Sequence, residues 1–382
     1  MKILMVAIPN HHFFQWVNQL EHSGNDVFWF DITDGGEKVE RINWVNQIKG
    51  WKLKYNFPFR HTIKKRLPIL YKFIQKYNEN AIENVFQKQL NLINPDIVHC
   101  FEMKLSGLPI LSVMNKNKHI KFIYSSWGSD LFNFEEIGVS KNQVQQFFNR
   151  VDYLITDCKR DHLIAIKNGF KSNYLGVFPG NGGLLINKKA IQTLENRNVL
   201  LIKGYDDGVG KAIKILEAIE LIPISVLKNV EIIIYSADKS VKNKIDKSPF
   251  FSKLKIEIFQ RNIFLDNDKL LKIMGKSMIY IGNSISDGMP NSLLEAMAMG
   301  AFPIQSNPGN VTEEVIVHGK NGLLIENPLD VSAISDLILI AINNHELRVA
   351  ALKFNTTFID ENYNRNVLEK RIVKLYDEIC VN

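Results

Sequence analysis

Short apolar runs alternate with helical segments along this chain, and halfway through the alternation starts again. The runs lie at 2–7 (KILMVA), 26–32 (DVFWFDI), 96–101 (DIVHCF), 120–126 (IKFIYSS) and 151–157 (VDYLITD), then at 198–204 (NVLLIKG), 229–237 (NVEIIIYSA), 255–260 (KIEIFQ), 277–283 (SMIYIGN) and 301–306 (AFPIQS). Helical segments are predicted over 12–23, 210–222, 266–275 and from 291. A strand buried on both faces reads as continuously apolar, and strands separated by helices pair in parallel. The pattern therefore predicts an α/β chain of two doubly wound domains. The segment FPGNGG (178–183) suits a linker. It places one domain over 1–183 and a second over 184–365, followed by a helical segment, 366–382, free to pack back on the first.

The chain has 382 residues, 46% of them apolar, with 23 Phe, 11 Tyr and 5 Trp. That is too apolar for disorder, and the length is ample for two cores. Cys100, Cys158 and Cys380 are scattered, so they offer neither a disulfide framework nor a zinc pair. A reducing compartment fits. The opening MKILMVAIPN is broken by Pro9 and Asn10, which suits a buried strand better than a secretory leader. No stretch approaches the roughly 20 apolar residues of a membrane span. The expectation is a soluble, cytoplasmic protein.

The net charge of +7 is unevenly placed: residues 41–78 hold ten Lys and Arg and no acid. Trp44, Trp51, Tyr55, Phe57, Phe59, Tyr71, Phe73 and Tyr77 are interleaved with them. Three readings stand at this point. The stretch is a solvated helical face over a core, a contact for an anionic membrane or lipid-linked partner, or a nucleic-acid surface. No helix-turn-helix, zinc finger or RNA-binding aromatic signature supports the last.

Ligands of open α/β sheets sit at the carboxyl ends of the strands. The first loop of the second half, following 198–204, carries Lys203, Gly204, Gly208, Gly210 and Lys211 before a helix. Glycines let backbone amides approach an anion, and two lysines add charge. Five residues separate Gly204 from Gly210, and Ala212 stands where a phosphate-binding P-loop needs Ser or Thr. No G-x-G-x-x-G follows a strand either, which disfavours a dinucleotide oxidoreductase.

The segment after 277–283 is richer. A loop with Asp287 and Gly288 leads through Met289, Pro290 and Asn291, with Asn291 as the expected cap, into a helix carrying Glu295. A second turn at 306–309 includes Gly309. With Asp287 just before the helix and Glu295 about one 5.4 Å turn inside it, both acids can flank one pocket. Each can accept sugar hydroxyls, while the helix N-terminus holds a diphosphate between them. The plainer alternative has Asp287 as a helix cap and Glu295 as an exposed side chain.

The run DGMPNSLLEAMAMGAFPI (287–304) resembles the signature of retaining glycosyltransferases of family 4, E-G-x-P-x-x-x-x-E-A-M-A-x-G-x-P-[VI], with Asp287 in place of the first Glu. EEVIVHGKNGLLI (313–325) is similar to the family's continuation, and PDIVH (95–99) and WGSD (127–130) are similar at lower specificity. The resemblance implies the GT-B fold, two Rossmann-like domains facing across a cleft. It further implies that Asp287 contacts the transferred sugar and Glu295 the ribose. Gly288, Met289, Pro290 and Asn291 would present backbone to sugar and diphosphate, and Gly309 would lie in the turn beside them. Lys203 and Lys211 would stand where the family has an Arg–Lys pair on the diphosphate. Trp127-Gly128-Ser129-Asp130 stands where many members have H-G-x-D. Trp127, Asp130, His99, Glu102, His11 and His12 are the acceptor-side candidates.

The implied activity is metal-independent, retaining transfer of a sugar from a nucleoside diphosphate sugar, UDP before GDP. The acceptor is expected to be a glycan or lipid-linked molecule in capsule, O-antigen or glycolipid assembly, met at the inner membrane surface. No cofactor is expected. Two other classes compete: a nucleotide-sugar epimerase or a phosphorylase on the same fold, and a non-catalytic two-lobed sugar-binding protein.

Overall fold

The computed structural model describes residues 1–263 and 265–381; the side chain of Cys380 lies outside the described residues, as does the last residue of the 366–382 segment. The chain forms two compact units. One comprises Met1–Asp157, Asp161–Gly182 and Glu369–Asn382, the other Cys158–Arg160 and Gly183–Leu368.

The first unit is a parallel sheet of β1 (Lys2–Ala7), β2 (Asp26–Asp31), β3 (Asn46–Ile48), β4 (Ile97–Phe101), β5 (Lys121–Ser125), β6 (Tyr153–Thr156) and β7 (Asn173–Val177), in the order β3-β2-β1-β4-β5-β6-β7. The second unit repeats it with β8 (Val199–Lys203), β9 (Glu231–Ala237), β10 (Lys255–Gln260), β11 (Ser277–Gly282), β12 (Phe302–Ser306) and β13 (Leu323–Ile325), in the order β10-β9-β8-β11-β12-β13. Both are doubly wound α/β sheets, as the alternating pattern predicts. In each, all strands run parallel and the direction in which they are added reverses between the first and fourth strands, which makes a crevice at their carboxyl ends.

Burial explains the continuous apolar runs. Leu200 and Ile202 of β8 join one core with Ile232 and Ile234 of β9. Their neighbours Val199 and Leu201 join another, with Ile233 and Tyr280, on the opposite face. Successive strand residues point to opposite faces, so covering both faces demands an apolar residue at every position. The strands the sequence reading passed over, β3, β7 and β13, all lie at sheet edges. Two are three residues long, and β7 (NYLGV) is only half-buried, so no continuous run announced them.

Some local expectations are corrected. The helix expected over 12–23 is His11–Val17, capped by Asn10, whose side chain accepts from Phe13 N–H, and it tightens into a 3₁₀ turn at Asn18–Leu20. Pro290, not Asn291, occupies the cap position of the helix Asn291–Ala298, and no side chain caps it. Proline suits that place because its missing N–H is one the helix leaves unused. Asp287 is therefore not the cap either. Trp44 and Trp51 turn inward rather than joining a surface: the Trp44 indole donates to the Asn18 side chain, and Trp51 is buried, donating to the Asp31 carbonyl. The final helix runs Arg365–Val381. Among the described residues no helix is long and apolar enough to cross a membrane.

Candidate active site

In the second unit the reversal lies between β8 and β11, and the loops leaving these two strands are stitched together. Lys211 N–H donates to the Asn283 carbonyl at 3.0 Å and Ile285 N–H to the Val209 carbonyl at 3.0 Å. The loop after β12 joins them through Ser306, whose hydroxyl accepts from Ser284 N–H at 2.9 Å. Gly204 needs its lack of a side chain: a Cβ there would meet Ala237 Cα at 2.6 Å.

This stitching brings Lys203 and Asp287, 84 positions apart in the sequence, to 3.9 Å between Nζ and Oδ2. The distance is ionic contact beyond hydrogen-bond reach, so each partner keeps valences for a ligand. Burial pushes the Asp287 carboxyl up from its ordinary value, offset in part by Lys203, the Gly288 N–H and Arg160. Burial works against the Lys203 charge, but Asp287, Tyr280 and Tyr205 outweigh it and its pKa rises. Lys203 also lies over the Tyr205 ring, 4.9 Å from the centroid.

Glu295 belongs to the same neighbourhood. Burial raises its pKa to about 7, against a side-chain hydrogen bond with Asn267 and the charge of Lys203. One lysine thus faces both acids, while the N-terminus of Asn291–Ala298 opens between them in sequence. Met289 turns its side chain into the core, leaving backbone to the loop. Gly309 adopts the left-handed conformation (φ 58°, ψ 30°) within the turn Pro308–Asn310. Lys211 is less committed: its ammonium folds back on the Gly208 carbonyl of its own loop at 2.6 Å.

In the first unit the candidates gather at the ends of β1, β4 and β5. His11 and His12 open the helix after β1; His11 Nδ1 lies 3.2 Å from Arg41, and the His12 ring sits edge-on to Trp127 at 6.3 Å. Glu102 follows β4 with φ 71° and ψ 133°, a strained conformation for a non-glycine residue, and its carboxylate accepts from Lys104 and Leu105 N–H. Asp130 accepts from Tyr124 Oη at 2.6 Å and from the N–H groups of Met103 and Trp127 at 2.8 Å. Burial raises both carboxyls, and the charge of Asp130 raises Glu102 further. The aspartate of WGSD thus organises its own loop. His99 is a core residue, not a cleft one. It is fully buried between Tyr376 Oη at 2.7 Å and Ser125 Oγ at 2.8 Å, and burial lowers its pKa to about 3.

Comparison with known proteins agrees with the fold. Residues 186–356 match the family described as glycosyl transferases group 1, and residues 2–158 match glycosyl transferase 4-like. An uncharacterized glycosyltransferase of Methanocaldococcus jannaschii is 24% identical over 292 residues, 73% of each chain. Among solved structures, sucrose-phosphate synthase from Thermosynechococcus elongatus has a TM-score of 0.68 at 14% identity, covering 99% of each chain. Anabaena HepE, solved with UDP and glucose, has a TM-score of 0.64 at 12% identity, covering 99% of this chain and 100% of its own. The chain is a glycosyltransferase of the GT-B fold.

Several residues at the glycosyltransferase's site escaped the sequence reading. Arg160, buried, donates from Nη1 to the carbonyls of Asp287 and Pro308, both at 2.9 Å. The Glu314 carboxylate accepts from the N–H groups of Lys159 and Arg160. Arg261 stacks over Tyr205 at 4.0 Å and pairs with Asp207 at 2.9 Å, the residue whose carboxylate accepts from Gly210 N–H. Tyr280 hydrogen-bonds Ser292 beside Lys203. Arg160 and Arg261 lie 127 and 54 positions from Asp287 and Asp207 and belong to no motif, so no local signal could have found them; Glu314 stands in the run 313–325, whose resemblance gave it no partner.

Proposed function

We propose that this glycosyltransferase takes a sugar from a nucleoside diphosphate sugar, with UDP favoured, and passes it with retention of configuration to a glycan or lipid-linked acceptor in cell-surface polysaccharide or glycolipid synthesis. The observation that carries the reading is the Lys203–Asp287 pair at the reversal between β8 and β11, with Glu295 in reach of the same lysine. A cation facing two acids in a sheet crevice suits a ligand that is anionic in the middle and hydroxylated at both ends.

In this reading Asp287 accepts from hydroxyls of the transferred sugar and Glu295 from those of the ribose. The diphosphate lies against Lys203, Lys211, the backbone of Gly288, Met289, Pro290 and Asn291, the turn at Gly309, and the N-terminus of Asn291–Ala298. The bond between the anomeric carbon and the diphosphate oxygen breaks, and the acceptor oxygen bonds to that carbon from the same face. Its proton passes to the departing phosphate, and no protein nucleophile is used. Charge develops on the leaving diphosphate, and the lysines and N–H groups meet it there without a metal. That HepE was solved with UDP and glucose supports the choice of nucleotide. His11, His12, Glu102 and Trp127 then belong to the acceptor side, and the acceptor is met by peripheral contact with an anionic membrane.

Thermal shift and calorimetry with UDP, GDP, ADP and their sugars test this. UDP or a UDP-sugar should raise the melting temperature, and Glu295→Ala should abolish the effect. No stabilisation by any nucleotide, or equal UDP affinity in Glu295→Ala, overturns the donor site.

A further inference from the structure

The helix Pro68–Asn78 is packed with its polar side inward. Its buried residues are Gln75 and Asn78. Ile69, Phe73 and Tyr77 are 84%, 62% and 63% exposed, and Leu70 is exposed beside them. At about 100° per residue these four share roughly a quarter of the helix circumference. Lys72 and Lys76 border that stripe on one side, while Gln75 and Asn78 lie across from it. A helix serving only its own fold turns its apolar stripe to the core. Here the stripe faces out, and the Gln75 amide is buried without a hydrogen-bond partner among the described residues.

The preceding segment continues the surface. Tyr55 and Phe59 are 77% and 78% exposed, and Phe59 holds a left-handed conformation (φ 61°) at the start of the helix Arg60–Arg66. Between 55 and 78 there are six Lys and Arg and no acid. Exposed aromatic and aliphatic side chains rimmed by one sign of charge mark an interaction site.

We infer that the face formed by Tyr55, Phe59, Ile69, Leu70, Phe73 and Tyr77 inserts into the headgroup region of an anionic lipid bilayer, with Arg60, Lys64, Lys65, Arg66, Lys72 and Lys76 pairing with the lipid phosphates around it. The inference deepens the membrane contact proposed above by naming the inserting surface, which excludes 41–54, and by making insertion as necessary as charge. Charge selects the occupant. A second copy would set six positive charges against six, whereas an anionic leaflet attracts them. Lysine stems lie along apolar surface while their ammonium groups reach phosphate.

The test is flotation of the full chain with vesicles of phosphatidylcholine alone, or with about one-third phosphatidylglycerol. The chain should float with the anionic vesicles and stay in solution with the neutral ones. Ile69→Ser/Phe73→Ser/Tyr77→Ser keeps every charge, yet its partitioning should fall about tenfold or more. Lys64→Glu/Lys65→Glu/Arg66→Glu should fall similarly. The fluorescence of Phe73→Trp, compared with the parent chain, should gain emission quenched by phospholipids brominated on the acyl chain. Parent-like flotation of the triple serine variant overturns insertion, as does an added indole that brominated lipid leaves unquenched. Concentration-dependent dimerisation lost in the serine variant would assign the face to a second copy instead. Stabilisation by UDP, measured in parallel, reports the donor site alone, so failure of either reading is seen separately.

Discussion

Arg160 and Asp287 are joined through the backbone: the guanidinium donates to the Asp287 carbonyl at 2.9 Å, and the same nitrogen donates to the Pro308 carbonyl at 2.9 Å. One buried side chain thereby fixes the loop that carries the candidate sugar-binding acid and the turn that carries Gly309.

Arg160→Ala should therefore affect both turnover and the acid limb of the pH profile. It leaves two inward carbonyls without their donor, at a cost of about 2 kcal/mol in urea unfolding. Arg160 also lowers the Asp287 pKa, so its loss should move the acid limb of kcat to higher pH. Arg160→Lys, which keeps the charge, should restore the limb. A limb that stays put in Arg160→Ala refutes the electrostatic part.

Lys203→Met should lower kcat about a hundredfold, the scale of removing one charged stabiliser of a leaving group. Donor affinity should change less than turnover. Nucleotide release from a UDP-sugar by the purified protein reads both. Retained kcat would place the leaving-group charge elsewhere.

Glu295 makes stability fall with rising pH. Its folded pKa of about 7 stands above the ordinary 4.5, so the native state holds a proton that the unfolded chain has released. The associated stability is full below about pH 4.5 and is lost as pH rises through about 7, on the order of 3 kcal/mol. Glu295→Gln should flatten the dependence across that window, in urea unfolding at about pH 5 and about pH 8. An equal slope in the two proteins counts against the burial argument.

Asp130→Ala should cost about 3 kcal/mol or more, since it strands Tyr124 Oη and the N–H groups of Met103 and Trp127. Asp130→Asn keeps an acceptor and should cost less. Equilibrium denaturation ranks the two, and equal costs would mean that the three donors find other partners.

Gly204→Ala should unfold at lower temperature and bind UDP more weakly. Its new methyl cannot fit against Ala237 without shifting β8 or β9, and Lys203 moves with β8. A parent-like melting curve would show that the two strands yield without cost.

The interior strands were legible because both faces of each sheet are buried, so β1, β4, β8 and β11 are mostly apolar, with Lys2, His99, Lys203 and Ser277 as their polar residues. The glycine loop after β8 and the run from Asp287 to Glu295 were legible because a turn beside a helix N-terminus is a local matter, fixed by residues a few positions apart. The edge strands β3, β7 and β13 were not: β3 and β13 are three residues long and β7 is only half-buried, so none makes a continuous apolar run. His99 reads as a catalytic type in sequence, and only its neighbours Tyr376 and Ser125 make it a core residue. Lys203 and Asp287 meet because the winding of the second unit carries distant loops to one crevice, and pairing energies between such loops leave no periodic trace. Composition fixed that 41–78 is basic and aromatic. Which way its side chains face was decided by packing, which turned Trp44 and Trp51 inward and left Ile69, Phe73 and Tyr77 in solvent.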